Sequence, residues 1–434
     1  MKGRYFCLTM VVRVNQIEVA PGVNLGEDER RENTYENFVR YRQAVARAIP
    51  EAKITIAFSH EALKDQSENF VAIRNKAKEY HERYGDDVTY LLGAYFCGVY
   101  SPRKEICTHV DEALELLQVF MGKGYLPLAI VGGFVPAKVM EHVASKGIRT
   151  IQGVIFSQYS IDNQDGDGSP CYPYYPSKEH FCKPAQSEQD KIDIVTLDGW
   201  TVDFVNATYP GVSSEGYNSR MGCGPIETIR PFGKEQGLQI MLASAAQMLE
   251  ESYQLNGGFG YATAIWELCL VHKNGYHHMG VCEEAIEEFL VKLKGRFSNV
   301  QVVPFGTVGE IFRETHKTNS FDYRFCHRGI GVGGSDENVQ IEWFMNRLFR
   351  LGLRTDLQTG ERRVIDFTNY TKRAQEPPDC DYKKGVVCRN WSLLGDVNQK
   401  GVRPQDKPLK VEELTAEQKA LIRKAENEYG FKVL

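Results

Sequence analysis

Short apolar runs alternate along this chain with longer stretches whose apolar residues recur at helical spacing, and that alternation is its strongest signal. Residues 8–18 read as a strand, and 33–49 as a helix with Phe38, Tyr41 and Val45 on one face and acidic residues in the first turn. A short apolar run at 54–58 ends in Ser59-His60-Glu61, a helix follows over 68–84, and 88–96 is again a strand. Pro102 opens a long helix to about Met121, since proline suits a first helical turn. Residues 126–131 predict a buried strand ending at Gly132-Gly133, 136–146 a helix closed by Gly147, and 148–156 the next strand.

The alternation stops between about 157 and 231, where Gly, Pro, Asp, Tyr and Ser dominate. Within that stretch 192–206 reads as a hairpin turning at Asp198-Gly199. Long insertions in compact α/β domains usually carry function. Regularity returns with a helix over 235–253, a strand over 262–271, a helix over 282–294, a strand over 300–304 and a helix over 307–315. About seven strands, each followed by a helix, imply a parallel sheet. The count favours closure into a (β/α)7-type TIM-like barrel over 1–325, an α/β fold carrying the long loop/hairpin insertion. No GxGxxG or GxxxxGKS/T phosphate loop is present, and the glycine-rich 329–334 stretch lacks the strand–loop–helix setting such loops need.

From 326 to 434 the pattern changes to that of a small C-terminal accessory region. Residues 338–351 read as apolar and helical, 363–370 as a strand, 377–407 as polar and turn-rich, and 415–429 as a charged amphipathic helix.

Composition narrows the functional classes. The 434 residues are 42% hydrophobic and 25% charged, an ordinary globular balance that argues against disorder. A net charge of -5 without any long basic run argues against nucleic-acid or anionic-membrane partners, which need clustered Lys and Arg. No segment approaches the roughly 18 apolar residues of a membrane helix. No signal peptide is recognisable, so the expected location is cytoplasmic, or periplasmic or secreted if a leader was removed. Eleven cysteines scattered without a CxxC pair read as reduced thiols rather than a disulfide framework or zinc ribbon.

In parallel (β/α) barrels the chemistry sits at the C-terminal ends of the strands, so the polar residues there are the candidates. Glu267, inside the apolar run Ala264-Ile265-Trp266-Glu267-Leu268, is a carboxylate that is costly to bury unless paired or functional. The neighbouring Trp266 would raise its pKa and suit it to general-acid work, while pairing to an arginine would make it structural. Glu18 lies at the end of the first strand, and His60 with Glu61 lies at the end of the second. His60 can serve as base, sugar-hydroxyl partner or metal ligand.

The loop Asp162-Asn163-Gln164-Asp165-Gly166-Asp167-Gly168 has the alternating acids of a calcium loop without its distal Glu. It reads as an Asx-turn loop presenting Asp162 or Asp165 to a ligand. Tyr174, Tyr175, His180, Trp200 and Asp203 fall in the insertion, where aromatic rings bearing polar groups suit the mixed CH and hydroxyl faces of sugars. The adjacent His277-His278 is a weak metal signal, because neighbouring residues diverge. Cys223, between two glycines, is a candidate reactive thiol.

Three stretches resemble the NodB-type polysaccharide deacetylases: Val131-Gly132-Gly133-Phe134-Val135-Pro136 with the helix and strand after it, Leu197-Asp198-Gly199-Trp200-Thr201-Val202-Asp203, and 302–312. Over about 1–325 the chain is similar to a bacterial family of the glycoside hydrolase/deacetylase barrel superfamily, and its tail resembles that family's small companion domain. The resemblance implies a seven-stranded (β/α) barrel and a carbohydrate ligand. Those deacetylases hold a metal through an Asp-Asp stretch and a His-x-x-x-His stretch. Here the first matching position reads Phe58-Ser59-His60-Glu61, and Thr108-His109-Val110-Asp111 lacks the second His.

The leading expectation is therefore a carbohydrate-active hydrolase, glycoside hydrolase-like, acting through paired carboxylates. Glu267 is its acid/base or nucleophile, and Glu18 or an acid of the 162–167 loop its partner. Two alternatives stay open. One is a metal-dependent deacetylase with relocated ligands, His60 with His277 or His278, which would need a divalent metal. The other is a non-catalytic carbohydrate-binding protein on a degenerate barrel. The sequence implies no other cofactor, and the oligomeric state is not legible in it.

Overall fold

The computed structural model describes residues 1–19, 23–95, 97–154, 168–207, 221–271, 282–379 and 408–434. Strand β1 (Gly3–Val12) is followed by an antiparallel hairpin, β2 (Asn15–Val19) and β3 (Val23–Asp28), and by helix α1 (Tyr35–Ala48). Then come β4 (Thr55–Ser59), α2 (His60–Lys64), α3 (Glu68–Tyr84), β5 (Asp87–Leu91), α4 (Cys97–Tyr100), α5 (Arg103–Met121), β6 (Ile130–Val131), α6 (Ala137–Ser145) and β7 (Thr150–Val154). The second half adds β8 (Val195–Asp198), α7 (Phe204–Ala207), α8 (Pro225–Leu249), α9 (Glu251–Leu255), β9 (Phe259–Glu267), α10 (Cys282–Arg296), β10 (Val300–Val302) and α11 (Phe305–Thr315).

The parallel ladders run β1-β4-β5-β6-β7-β8, and β9 lies on the other edge of β1. Residues Thr9, Met10 and Val11 of β1 pair with β4 and β9 at once, so those two strands flank it. These seven strands form the nearly closed barrel. The short β10 pairs with Arg4–Phe6 at the start of β1, outside the mouth. Between β8 and β9 the wall is bridged by single hydrogen bonds. Tyr261 Oη donates to the Asp198 carbonyl at 2.7 Å, and the Thr201 N–H donates to the Thr263 carbonyl at 3.2 Å.

The barrel strands are buried along their whole length apart from the first residues of β1. Helices cover one face and the packed interior the other, as parallel strands require. Local signals set the helix ends. Thr34, Ser59 and Ser67 cap α1, α2 and α3 by accepting backbone N–H bonds. Gly85 ends α3 at φ 79°, a left-handed conformation that a side chain would strain. One buried ion pair ties α1 to the strand layer: Arg42 Nε meets Asp86 Oδ2 at 2.6 Å, while Asp86 Oδ1 accepts the Ile54 N–H.

Two expectations are corrected. Residues 192–206 do not form a hairpin. Val195–Asp198 joins the barrel parallel to β7, because its Val and Leu are buried between both neighbouring layers. Asp198 Oδ1 then accepts the Trp200 N–H and directs the chain across the rim. Nor are residues 338–351 helical: they give β12 (Val339–Asn346) and the start of β13 (Phe349–Asp356), with β11 (Asp322–Arg328) just before. Val339, Ile341, Trp343 and Met345 alternate with period two toward the barrel core, and cross-strand pairing decides the conformation.

The antiparallel sheet continues through β14 (Arg362–Asn369) and β15 (Leu409–Lys410), and α12 (Ala416–Tyr429) covers its outer face. Ile422 and Ala425 of α12 pack there with Phe344, Leu351, Leu353 and Phe367. Arg350, fully buried in this sheet, grips Asp366 with two hydrogen bonds and the Ser169 carbonyl with a third. Among the described residues no helix is long and apolar enough to cross a membrane.

Candidate functional site

Glu267 is the last residue of β9 and pairs in register with Val11 of β1, which places its carboxylate at the C-terminal mouth of the barrel. Arg13 leaves the end of β1 beside it. Its guanidinium forms a two-pronged bond to Glu29, Nε–Oε2 2.8 Å and Nη2–Oε1 2.6 Å, and Nη2 lies 3.9 Å from Glu267 Oε1. All three side chains are at least nine-tenths buried. Burial raises the Glu267 pKa to about 7, Arg13 works against that shift, and the negative charges of Glu227 and Glu29 add to it.

Glu227 comes from the first turn of α8 and is also buried. A Cβ at Gly224, the residue before this helix, would stand 2.6 Å from Glu227 Oε2 and 3.9 Å from Trp200 Nε1. The missing side chain is what lets the carboxylate and the indole approach the same spot. Trp266 points away from Glu267, as alternation in a strand demands. Its indole Nε1 is buried and finds no hydrogen-bond partner among the described residues.

Glu18 is buried in a different setting. Its Oε1 accepts the Ser59 hydroxyl at 2.6 Å and the N–H groups of Val14 and Asn15, and its Oε2 accepts the Glu61 N–H at 3.0 Å. Desolvation raises its pKa against these bonds. Glu18 thus holds the start of α2, where His60 and Glu61 sit. The His60 ring stacks on His109 of α5, with centroids 4.2 Å apart and planes 14° apart, and its Nε2 lies 3.0 Å from Glu112 Oε2. Burial, with His60 beside it, lowers the His109 pKa to about 4. Glu61 is held below the usual carboxylate range chiefly by the neighbouring His60, whose Nδ1 lies 3.8 Å from its Oε1.

The insertion residues are brought inside rather than displayed. Tyr174 Oη donates to the Phe181 carbonyl and Tyr175 Oη to that of His316. His180 stacks on Phe181 and accepts the Cys182 N–H at Nδ1. Asp203 Oδ2 lies 3.0 Å from His327 Nε2 and accepts the Ser335 hydroxyl at 2.7 Å, which ties α7 to the C-terminal sheet. Burial would raise the Asp203 pKa, but His327 and these bonds bring it below the usual range. Cys223 is buried and its thiol is pushed up by desolvation, the opposite of an activated nucleophile. Asp162, Asp165, His277 and His278 lie outside the described residues.

Sequence reasoning missed Arg13, Glu29 and Glu227. Arg13 had a signal: it interrupts Val11-Val12 and Val14 just as Glu267 interrupts its own apolar run. Glu227 had only its place near the end of the insertion.

The metal implied by the deacetylase resemblance does not fit the mouth as described. The guanidinium of Arg13, 3.9 Å from Glu267 Oε1, already places a positive charge beside that carboxylate, and a metal cation there would be repelled by it. Among the described residues, the three metal-ligand side chains that converge are His60, His109 and Glu112, with ligand atoms within 4.8 Å of one another.

Comparison with known proteins adds the following. Residues 1–345 match the profile of a domain of unknown function with a solved structure, DUF3863, and residues 350–429 match DUF3864, described in the same way. A protein of Parabacteroides distasonis, whose crystal structure carries a provisional glycoside hydrolase/deacetylase name, is 38% identical, with 98% of each chain covered and a TM-score of 0.92. The GH57-type branching enzyme of Pyrococcus horikoshii is 12% identical over 73% of this chain and 71% of its own, with a TM-score of 0.42. A GH57 branching enzyme of Thermococcus kodakaraensis is 11% identical over 73% of this chain and 72% of its own, with a TM-score of 0.43. Those last two likenesses are too low to support any argument. No curated protein matches the chain.

Proposed function

We propose, for this chain that belongs to the DUF3863 family, a carbohydrate-active hydrolase that cleaves a glycosidic bond with Glu267 as proton donor. The observation that carries the reading is Glu267 itself, a buried carboxyl at the C-terminal end of a barrel strand with its pKa raised to about 7. A departing sugar oxygen needs a proton as its C–O bond breaks, and an acid of this pKa still holds one near neutral pH. Glu227 is the second carboxylate in this reading. It either takes a proton from the attacking water or attacks the anomeric carbon itself, and the anomer of the first-formed product separates the two. Trp200, buried with its indole Nε1 near the spot that Glu227 approaches, stands in this reading as an aromatic wall of the sugar site. The provisional name of the Parabacteroides distasonis relative supports a carbohydrate substrate.

The test assays wild type and Glu267→Gln on a panel of oligo- and polysaccharides for new reducing ends and for released acetate together. New reducing ends that vanish in Glu267→Gln are expected. Acetate release without chain cleavage, or cleavage that persists in the variant, overturns the proposal.

A further inference from the structure

We propose that His60, His109 and Glu112 form a binding site for a divalent transition-metal ion, specifically zinc, on the barrel flank between α2 and α5. Two imidazoles and one carboxylate are the borderline nitrogen and oxygen donors that zinc prefers. Three features of the fold bring them together. His109 and Glu112 are three residues apart on α5 and so share one helix face. His60 is the first residue of α2, and that helix start is fixed by the Ser59 cap and by Glu18, which binds both the Ser59 hydroxyl and the Glu61 N–H. The His60 Nε2 to Glu112 Oε2 contact of 3.0 Å is the close approach of two ligands around a shared point.

The ligand atoms span up to 4.8 Å, whereas bonds of about 2.0–2.2 Å to zinc need them somewhat closer. Binding would therefore have to turn the two rings out of their 14° parallel stacking. The Glu61 carboxylate lies 3.8 Å from His60 Nδ1, longer than a hydrogen bond, and in the metal-bound state it is the carboxylate that would close onto that nitrogen as an outer partner. The Glu112 side chain is 51% exposed, which gives the ion a path from solvent and leaves water a coordination position. None of these three ligands belongs to the Glu267 site, so the two proposals stand or fall separately.

The competing account is a packed imidazole pair with an ordinary hydrogen bond to Glu112, and metal titration separates the two. The full chain, stripped with chelator and dialysed, is titrated with Zn2+ by calorimetry and with Co2+ by visible absorption, in parallel with Glu112→Gln, His109→Ala, Glu61→Gln and His142→Ala. The expected result is one equivalent of metal whose affinity falls about 10–100-fold in Glu61→Gln, and further in His109→Ala and Glu112→Gln. His142→Ala should bind like wild type. Should His109→Ala misfold by circular dichroism, the partly exposed Glu112→Gln still decides. Wild type without an equivalent of bound metal, or binding undiminished in Glu112→Gln, overturns the proposal.

Discussion

Replacing Glu267 by Gln should make the protein more stable at alkaline pH and change it little in acid. The carboxyl is buried, and its pKa is raised from 4.5 to about 7. The folded state therefore holds this proton more tightly than the unfolded chain. For a group raised on folding, the stabilising contribution is complete below the unfolded pKa and is lost as pH rises through the folded one. Between pH 4.5 and about 7 wild type should lose stability, and above about 7 the loss should level off. At about 1.4 kcal/mol per pH unit, the gap amounts to about 3 kcal/mol.

Gln keeps the shape and never carries the charge, so the variant escapes this cost, and Arg13 remains paired with Glu29. Urea denaturation of both proteins at about pH 4.5, 6, 7 and 8.5 measures the difference directly. A stability difference that stays flat across this range, or that favours wild type at the alkaline end, refutes the account of Glu267 as a buried, proton-holding carboxyl.

If Glu267 is the proton donor, kcat/KM on a cleaved glycan should fall with an apparent pKa near 7 as pH rises, and Glu267→Gln should lower kcat by about 10²–10⁴-fold. A profile that is level to pH 9 contradicts the assignment. Arg350→Met should strand the buried Asp366 and cost about 3–5 kcal/mol. Restoring part of that loss with Asp366→Asn in the same chain is expected, read by the fluorescence of Trp343, which packs against Arg350. Glu18→Ala removes the acceptor of four hydrogen bonds and should destabilise by more than the ~1 kcal/mol of a single one. Hydrogen exchange should localise that loss to the start of α2, and protection unchanged there would show that Glu18 does not hold this helix.

Local chemistry accounts for much of what could be read from the sequence. Most barrel strands were legible because buried parallel strands are continuous apolar runs, β8 being the exception, and two helix ends because Pro102 suits the start of a helix and Gly147 its close. The buried charge of Glu267 was legible for the same reason, as a carboxylate surrounded by apolar neighbours. The C-terminal sheet was less so, because adjacent apolar residues such as Phe344 and Met345 blur a period of two. Only pairing with β11 and β13 decided between strand and helix there.

The sequence by itself determined that this chain buries parallel strands behind helices and sets a costly carboxylate, Glu267, within an apolar strand; that the strand ends there was decided by the fold. The sequence could not determine which charges meet that carboxylate. Arg13 and Glu267 are neighbours through the pairing of β1 with β9, and the charge of Glu227, from the start of α8, acts on Glu267. His60 meets His109 and Glu112 only through the packing of α2 on α5. Backbone conformation follows from neighbours along the chain, whereas a site follows from side chains that distant segments bring within a few ångströms, and only the tertiary structure supplies those distances.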